Sequence, residues 1–373
     1  MTQLRKIPPV LFIALFFTWN RRFNFQAKVK RFIRHTVILL VFLLLLPACQ
    51  SNNPWDLLTQ TPLPTFTLPV PATDTLTPLP TATGTETPTP TLTPTPIPVV
   101  RRVLILSIDG LRPEAISLAP MPNLLNLMQT SAYTLTAQTV RPSVTLVSHA
   151  SMLTGLCPDK HGVDWNDYIP ENGIAEGTDL FDLAHAAGLE TWMFVGKEKL
   201  KQVTASTSLT GFVKGSDRDS ELTDQLIEEF PANFGVLFVH FATADGMGHE
   251  YGWLSPEYLS VAFRADESLG RILAELDRRN LRNETLVIIT ADHGGHDTTH
   301  GSTMPEDMTI PWFATGPGIR PGPLTTTVHT MDTAATVANA LGLAIPAEWD
   351  GVPVSEAFGL PVEEISTSCA GTG

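Results

Sequence analysis

The sequence predicts an α/β domain over residues 99–360, built on a mostly parallel sheet with helices on both faces. Apolar runs at 103–108, 235–241 and 286–290 are continuous rather than alternating, as in strands buried on both faces. Helical segments at 180–187, 220–230 and 256–279 separate or follow them, which is the alternation of a parallel sheet. Each of the three runs leads to an aspartate, at the strand ends where open parallel sheets bind ligands. Close to 270 residues is enough for one such domain with a full core.

Ahead of the domain, residues 1–48 hold eight Lys or Arg and no acidic residue. An apolar run at 37–46 then meets Leu46-Pro47-Ala48-Cys49. A basic region, a short apolar core and small residues before a cut read as a secretory signal. The cysteine makes it resemble a bacterial lipoprotein signal, with Cys49 acylated after cleavage. The run is short for spanning a bilayer. Residues 49–98 are rich in Thr and Pro; proline fixes φ and removes donors, so a disordered, extended stalk is expected. The chain is therefore expected to be exported and held at the cell envelope or surface, partnered with a membrane through its lipid anchor.

The chain carries 24 basic and 38 acidic residues; without the eight basic residues of the signal, the remainder has a formal charge of −22. Such a charge disfavours binding a nucleic-acid polymer through its phosphates. Apart from Cys49, only Cys157 and Cys369 remain. An exported protein can pair them, but Cys369 lies in a Ser/Thr/Gly segment, 361–373, that reads as a flexible tail, and no disulfide is expected.

In chain order, 103–108 reads as a buried strand ending at Asp109. A short helix follows at 122–128, then an alternating strand at 133–140. A polar turn at Pro142 leads to an apolar helix at 146–153, closed by Gly155, Pro158 and Gly162. Thr145 therefore stands at a helix N-terminus, where free N–H groups and the dipole favour an anion; it equally suits a plain N-cap. The helix at 180–187 stops at Gly188, and a strand follows at 191–195. The acidic helix 220–230 precedes the strand 235–241, which leads to Asp245 and His249. The long helix 256–279 precedes the strand 286–290, which ends in Asp292-His293-Gly294. A short strand at 310–315 and a helix at 332–341 complete the domain.

Three strand ends thus carry metal-ligand side chains: Asp109, Asp245 with His249, and Asp292 with His293; His300 follows closely. Asp and neutral His suit zinc and similar divalent ions. Each is weak evidence alone, since Asp-Gly is often a turn and a lone His is usually structural. Ser107-Ile-Asp109-Gly-Leu-Arg-Pro, Thr145 with Thr154-Gly-Leu-Cys-Pro-Asp-Lys-His-Gly162, Asp245-x3-His249, Asp292-His293-Gly and His300-Gly301 together resemble the alkaline phosphatase superfamily. The nearest match is its type I phosphodiesterase and nucleotide pyrophosphatase branch, and the closing Trp349-Asp350-Gly351 fits the same superfamily.

The resemblance implies an alkaline phosphatase-like fold and two divalent metal ions of zinc type. Asp109, Thr145, Asp292 and His293 would hold one ion, and Asp245, His249 and His300 the other. Thr145 would be ligand and nucleophile together, and Asn166 would bind a phosphate oxygen. The implied activity is hydrolysis of a phosphodiester or pyrophosphate bond in a small phosphorylated substrate, through a phosphothreonine. Chemistry supports this independently: a threonine hydroxyl is a weak nucleophile that metal coordination activates.

Three positions depart from the family pattern. Leu146 stands where members acting on nucleotides carry an aromatic residue, and Ser148 stands where an asparagine is usual. Six residues separate His293 from His300, so a minimal domain without the large cap insertion is expected, with His296 as the rival ligand. Trp165, Tyr168 and Trp253 are read as packing residues that also lie near the motifs. A sulfatase would need Cys or Ser followed by x-Pro-x-Arg, which Ser143-Val-Thr145-Leu-Val lacks. A phosphomonoesterase or phosphonate hydrolase is the closer rival; it calls for a cation at phosphorus, for which Arg141 and Lys160 are the candidates. The alternative from another class is a stalked surface protein without catalysis.

Overall fold

The structure is a computed structural model that describes residues 100–362 with 365, 366, 368 and 369. The expected signal 1–48 and stalk 49–98, with Cys49, lie outside these residues. Among the described residues the strands are β1 (Arg102–Ile108), β2 (Ala132–Gln138), β3 (Glu190–Val195), β4 (Gly211–Lys214), β5 (Phe234–Phe241), β6 (Thr285–Thr290), β7 (Thr309–Thr315) and β8 (Gly322–Pro323). They form one sheet in the order β4-β3-β5-β1-β6-β7-β2-β8. β4, β3, β5, β1 and β6 are mutually parallel, and β7 runs against both of its neighbours, β6 and β2.

The continuous apolar runs explain the centre of this sheet. Every residue of β5 and β6 is buried, and so is β1 after Arg102. A strand with no exposed face needs cover on both sides. The cover comes from two helix groups. The 23-residue helix α8 (Pro256–Arg278) packs with α1 (Ala115–Leu118), α2 (Pro122–Thr130), α6 (Asp219–Glu228) and α7 (Thr243–Tyr251). Helix α10 (Asp332–Ala340) packs with α3 (Thr145–Thr154) and α5 (Leu180–Ala186). The short helix α9 (Pro305–Met308) lies beside the loop after β6, where the Gly294 N–H donates to Asp307 O, and the short helix α4 (Pro158–His161) follows the C-terminal end of α3. Helix starts follow local chemistry: Ser255 caps α8 ahead of Pro256, and Asp179 with Asp182 forms a capping box on α5.

Two sequence expectations change. Asp245 and His249 lie on a full helical turn of α7 rather than on a strand-end loop. The Gly246 and Gly248 of that stretch lower helix propensity and hid it. Gly248 is needed there, because a Cβ would stand 2.6 Å from the Trp253 ring. Second, Cys157 and Cys369 form a disulfide. The segment that read as a loose tail is docked at this point and at buried Ser366, whose hydroxyl contacts His329 Nδ1 at 2.8 Å and Asp332 Oδ2 at 2.9 Å. The bond closes a span of 212 residues, and chain-entropy arguments give such a loop about 5 kcal/mol of stabilisation. Among the described residues no helix is long and apolar enough to cross a membrane.

Candidate active site

The parallel core strands place their ends at one edge of the sheet. β1 ends at Asp109, β5 leads into α7 with Asp245 and His249, and β6 leads to Asp292 and His293. The backbone crowds together here. Gly110 adopts φ +70°, and a Cβ on it would stand 3.2 Å from Asp245 Cα. Its N–H donates to Asp292 Oδ1 (3.1 Å), as does the His293 N–H (3.0 Å). One Asp292 oxygen is thereby used, and Oδ2 is left buried without a partner.

The same division holds for the other carboxylates. Asp109 Oδ2 accepts from His240 Nε2 (2.9 Å) and Lys197 Nζ (2.7 Å), leaving Oδ1 unpartnered. Asp245 Oδ2 accepts from Lys197 Nζ (2.6 Å), again leaving Oδ1 unpartnered. The histidines are oriented by a common device. His293, His249 and His300 each donate Nδ1–H to a backbone carbonyl: Gly294 (2.8 Å), Thr298 (3.0 Å) and Ser143 (2.9 Å). That fixes the tautomer and turns each Nε2 lone pair into the site.

The free atoms converge in two sets. In the first, His293 Nε2 lies 3.4 Å from Asp109 Oδ1 and 3.4 Å from Asp292 Oδ2. In the second, His249 Nε2 and His300 Nε2 are 3.1 Å apart and lie 3.4 and 3.5 Å from Asp245 Oδ1. Tetrahedral ligands about 2.0–2.1 Å from an ion are separated by about 3.3–3.4 Å. Lone pairs at that spacing with no donor between them, all buried in the first set and half-open at His249 in the second, fit a divalent cation. Asp109, Asp245 and His293 also offer ligand atoms within 4.8 Å of one another, so Asp245 adjoins both sets. Electrostatics agree. Burial and the Asp109 charge push Asp292 up to about 7. Burial, then His293, hold His300 down at about 4, so its ring is neutral near pH 7. Burial opposes ionisation of Asp109, but Lys197, His240 and His293 outweigh it and hold its pKa well below the ordinary value.

Thr145 opens α3, the helix after the Pro142 turn. Val144 is the N-cap residue, so the hydroxyl of Thr145 is not spent on capping. It is almost fully buried, and Lys197 Nζ lies 3.3 Å from its Oγ. One ammonium thus touches Thr145, Asp109 and Asp245, which makes them neighbours. Asn166 also arrives: its Oδ1 accepts from the Leu146 N–H (3.0 Å) and from Lys199 Nζ (3.2 Å). The far end of α3 is fixed by the Trp349-Asp350-Gly351 segment. The N–H groups of Asp350 and Gly351 both donate to Gly155 O at 2.9 Å.

The model of the type I phosphodiesterase / nucleotide pyrophosphatase family matches residues 103–225 and 194–310, more than half of the chain. The chain belongs to this family. Among its relatives, a venom phosphodiesterase of Naja atra is 26% identical over 216 residues, covering 52% of this chain and 26% of that protein. Human ectonucleotide pyrophosphatase/phosphodiesterase family member 5 is 25% identical over 215 residues, covering 52% of this chain and 45% of that protein. The chain thus spans less than half the length of these relatives. A structure of murine ectonucleotide pyrophosphatase/phosphodiesterase 5, an inactive form in complex with AMP, superposes with a TM-score of 0.59 at 16% identity. That match covers 70% of this chain and all of the murine one, and it shows a shared alkaline phosphatase-like fold.

Within this phosphodiesterase family chain, the departures from pattern have clear positions. Leu146 is fully buried in the core, with no aromatic face beside Thr145 at that position. Ser148 is also buried and accepts from Thr139 Oγ1 (3.0 Å), which ties α3 to the end of β2. His296, the rival ligand, holds Asp307 Oδ1 (2.7 Å) and braces the loop that carries His300. Trp253 packs edge-on against the His249 and His300 rings, with centroids 5.2 and 5.8 Å away. Trp165 bonds Gln202 Oε1 (3.3 Å), and Tyr168 is exposed. Lys160 is paired with Asp350 (2.6 Å), and Arg141 is an exposed surface residue, so neither candidate cation is part of the site described above.

Sequence reasoning missed four site residues: Lys197, Lys199, His149 and His240. Lys197 follows the end of β3 by two residues, so the strand-end argument that found the aspartates reaches it as well. His240 lies in a fully buried strand, where an isolated polar residue is itself a signal. His149 is buried in α3 and contacts Thr145 O (2.7 Å) and Ser107 Oγ (2.9 Å).

Proposed function

We propose that this chain is a two-metal hydrolase that cleaves a phosphodiester or pyrophosphate bond through Thr145 and a phosphothreonine. The observation that carries the reading is the convergence of Thr145 Oγ, Asp109 and Asp245 on one ammonium beside two clusters of Asp and His ligand atoms, whose Asp109 Oδ1, Asp245 Oδ1, Asp292 Oδ2 and His293 Nε2 are buried without partners. Asp109, Thr145, Asp292 and His293 would hold one ion of zinc type, and Asp245, His249 and His300 a second. Such ions supply Lewis-acid chemistry, lowering the pKa of a hydroxyl and stabilising a departing oxygen.

The protein's own groups do the rest. α3 presents the Thr145 oxygen at its N-terminus, where the dipole favours an approaching anion. As the Thr145 Oγ–P bond forms, the Oγ proton passes to solvent water and the opposite P–O bond breaks; its electron pair leaves with the departing oxygen, which takes up a proton from solvent. The amide nitrogen of Asn166 donates to a non-bridging oxygen as charge builds there. Water then attacks the phosphothreonine, and Thr145 regains its proton as phosphate or its monoester leaves. Family membership supports this chemistry, and buried Leu146 speaks against recognition of a stacked base at that position.

The test is turnover of bis-p-nitrophenyl phosphate by the zinc-loaded chain with and without chelator. Hydrolysis that chelation removes and zinc restores is the expected result. Turnover indifferent to chelation contradicts the metal-dependent reading, and two bound ions without turnover of phosphate esters favours the non-catalytic alternative.

We further propose that Cys49 carries a lipid that tethers the chain at the cell envelope or surface. The basic start and the Leu46-Pro47-Ala48-Cys49 sequence support this. Labelling with a fatty acid analogue should mark the native chain and not Cys49→Ala; equal labelling of both removes the anchor.

A further inference from the structure

Two lysines stand near Thr145 that hydrolysis of a singly charged diester does not call for. β3 ends beside β5 in the sheet, and Gly196 lies so close that a Cβ there would stand 2.7 Å from Ala242 Cβ. This close approach brings Lys197 over the strand ends. Its ammonium engages the outer oxygen of one ligand from each set, Asp109 Oδ2 and Asp245 Oδ2. The oxygens aimed at an ion, Asp109 Oδ1 and Asp245 Oδ1, stay free, so the lysine and the ions do not compete for the same atoms. Its third partner is Thr145 Oγ itself, at 3.3 Å.

Lys199 is different. Among the described residues no carboxylate forms an ion pair with it, and its one polar contact is Asn166 Oδ1 at 3.2 Å. Burial, and then the neighbouring Lys197, lower its pKa. With Asn166 Oδ1 taken by Lys199 and by the Leu146 N–H, the amide nitrogen is the end left to donate, and no acceptor meets it among the described residues. An unpaired cation and an oriented amide therefore meet at the Leu146 N–H, next in the chain to Thr145, and a second cation lies on the reacting oxygen.

We propose that Lys197, Lys199 and Asn166 form a receptor for a phosphoryl group with three non-bridging oxygens. The preferred substrates are then a phosphate monoester or the terminal phosphate of a pyrophosphate, rather than an internal diester. The inference rests on Thr145 as nucleophile; of the bonds named above it keeps the terminal pyrophosphate and sets the phosphate monoester in place of the internal diester. A terminal phosphoryl group carries about one more negative charge than a diester, so fixed cations stabilise its bound form and transition state more. Lys197 touches the reacting oxygen; Lys199 both faces the anion and positions Asn166.

The experiment compares p-nitrophenyl phosphate with bis-p-nitrophenyl phosphate on the zinc-loaded full chain, with Lys197→Met, Lys199→Met and Lys199→Arg. For Lys199→Met the expected fall in kcat/KM is about 10²-fold on the monoester, at least tenfold greater than on the diester. Lys199→Arg should recover most of the loss. Inhibition by inorganic phosphate should weaken at least tenfold in both Met variants. Equal losses on the two esters, or unchanged phosphate inhibition, overturn the receptor. A parallel arm measures calorimetric binding of inorganic phosphate to Thr145→Ala, alone and combined with Lys199→Met. If the native chain turns over neither ester, the hydrolase reading fails. The receptor is then judged by binding alone: weaker binding in the double variant supports it, and equal or absent binding overturns it.

Discussion

Thr145→Ala is expected to lower turnover by at least about 10³-fold while leaving the fold intact. The hydroxyl is buried and its structural duties are few. Val144 occupies the cap position of α3, and the Leu146 N–H is satisfied by Asn166. The recorded partner of Thr145 Oγ is Lys197, which keeps Asp109 and Asp245 when the hydroxyl is gone. Removing Oγ should therefore delete the attacking atom without unpacking the helix. The variant should unfold at close to the native temperature and still bind metal, since Asp109, Asp292 and His293 remain in one set and the other set is complete. Circular dichroism, metal analysis and single-turnover kinetics check the three parts. Native-like hydrolysis by a folded, metal-bound variant would remove Thr145 from the mechanism.

His300→Ala is expected to cost the second set its ion, with affinity falling by more than about 10²-fold and turnover with it. His300 Nε2 lies 3.1 Å from His249 Nε2, and its ring stacks on His293 with centroids 3.8 Å apart. Without it, only Asp245 and half-exposed His249 remain, and two protein ligands hold a divalent ion poorly. His296→Ala is the matched control. That ring bonds Asp307 and braces the loop, so its loss should loosen His300 but leave two ions bound. Metal counting after dialysis distinguishes the two: one ion retained in His300→Ala and two in His296→Ala is the expected pattern. The reverse pattern would hand the ligand role to His296.

The sheet centre was legible because its chemistry is one-dimensional. Runs such as Val103 to Ile108 are apolar on both faces, and that pattern admits little else than a buried strand. The strand-end aspartates followed from the same reading, and the motif order supplied Thr145, Asn166 and His300. What failed depends on contacts between distant parts of the chain. α7 was hidden by Gly246 and Gly248, which local propensity counts against a helix; Trp253 packing requires the second of them. The Cys157–Cys369 bond spans 212 residues and joins a segment whose composition reads as loose. β4 and β8, four and two residues long, are too short for periodicity to find. Lys197 is the instructive omission: a lysine near a glycine reads as surface, and its role appears only when β3 is seen to lie beside β5.

The most direct test of the account is to trap the covalent intermediate. The zinc-loaded chain is mixed with p-nitrophenyl phosphate, quenched in acid within the first turnover, digested and analysed by mass spectrometry. The account predicts one phosphoryl group on the peptide that contains Thr145, absent from Thr145→Ala and from a chelated control. A burst of p-nitrophenol with no phosphopeptide, or a phosphoryl group on another residue, would contradict a threonine nucleophile at the mouth of this sheet.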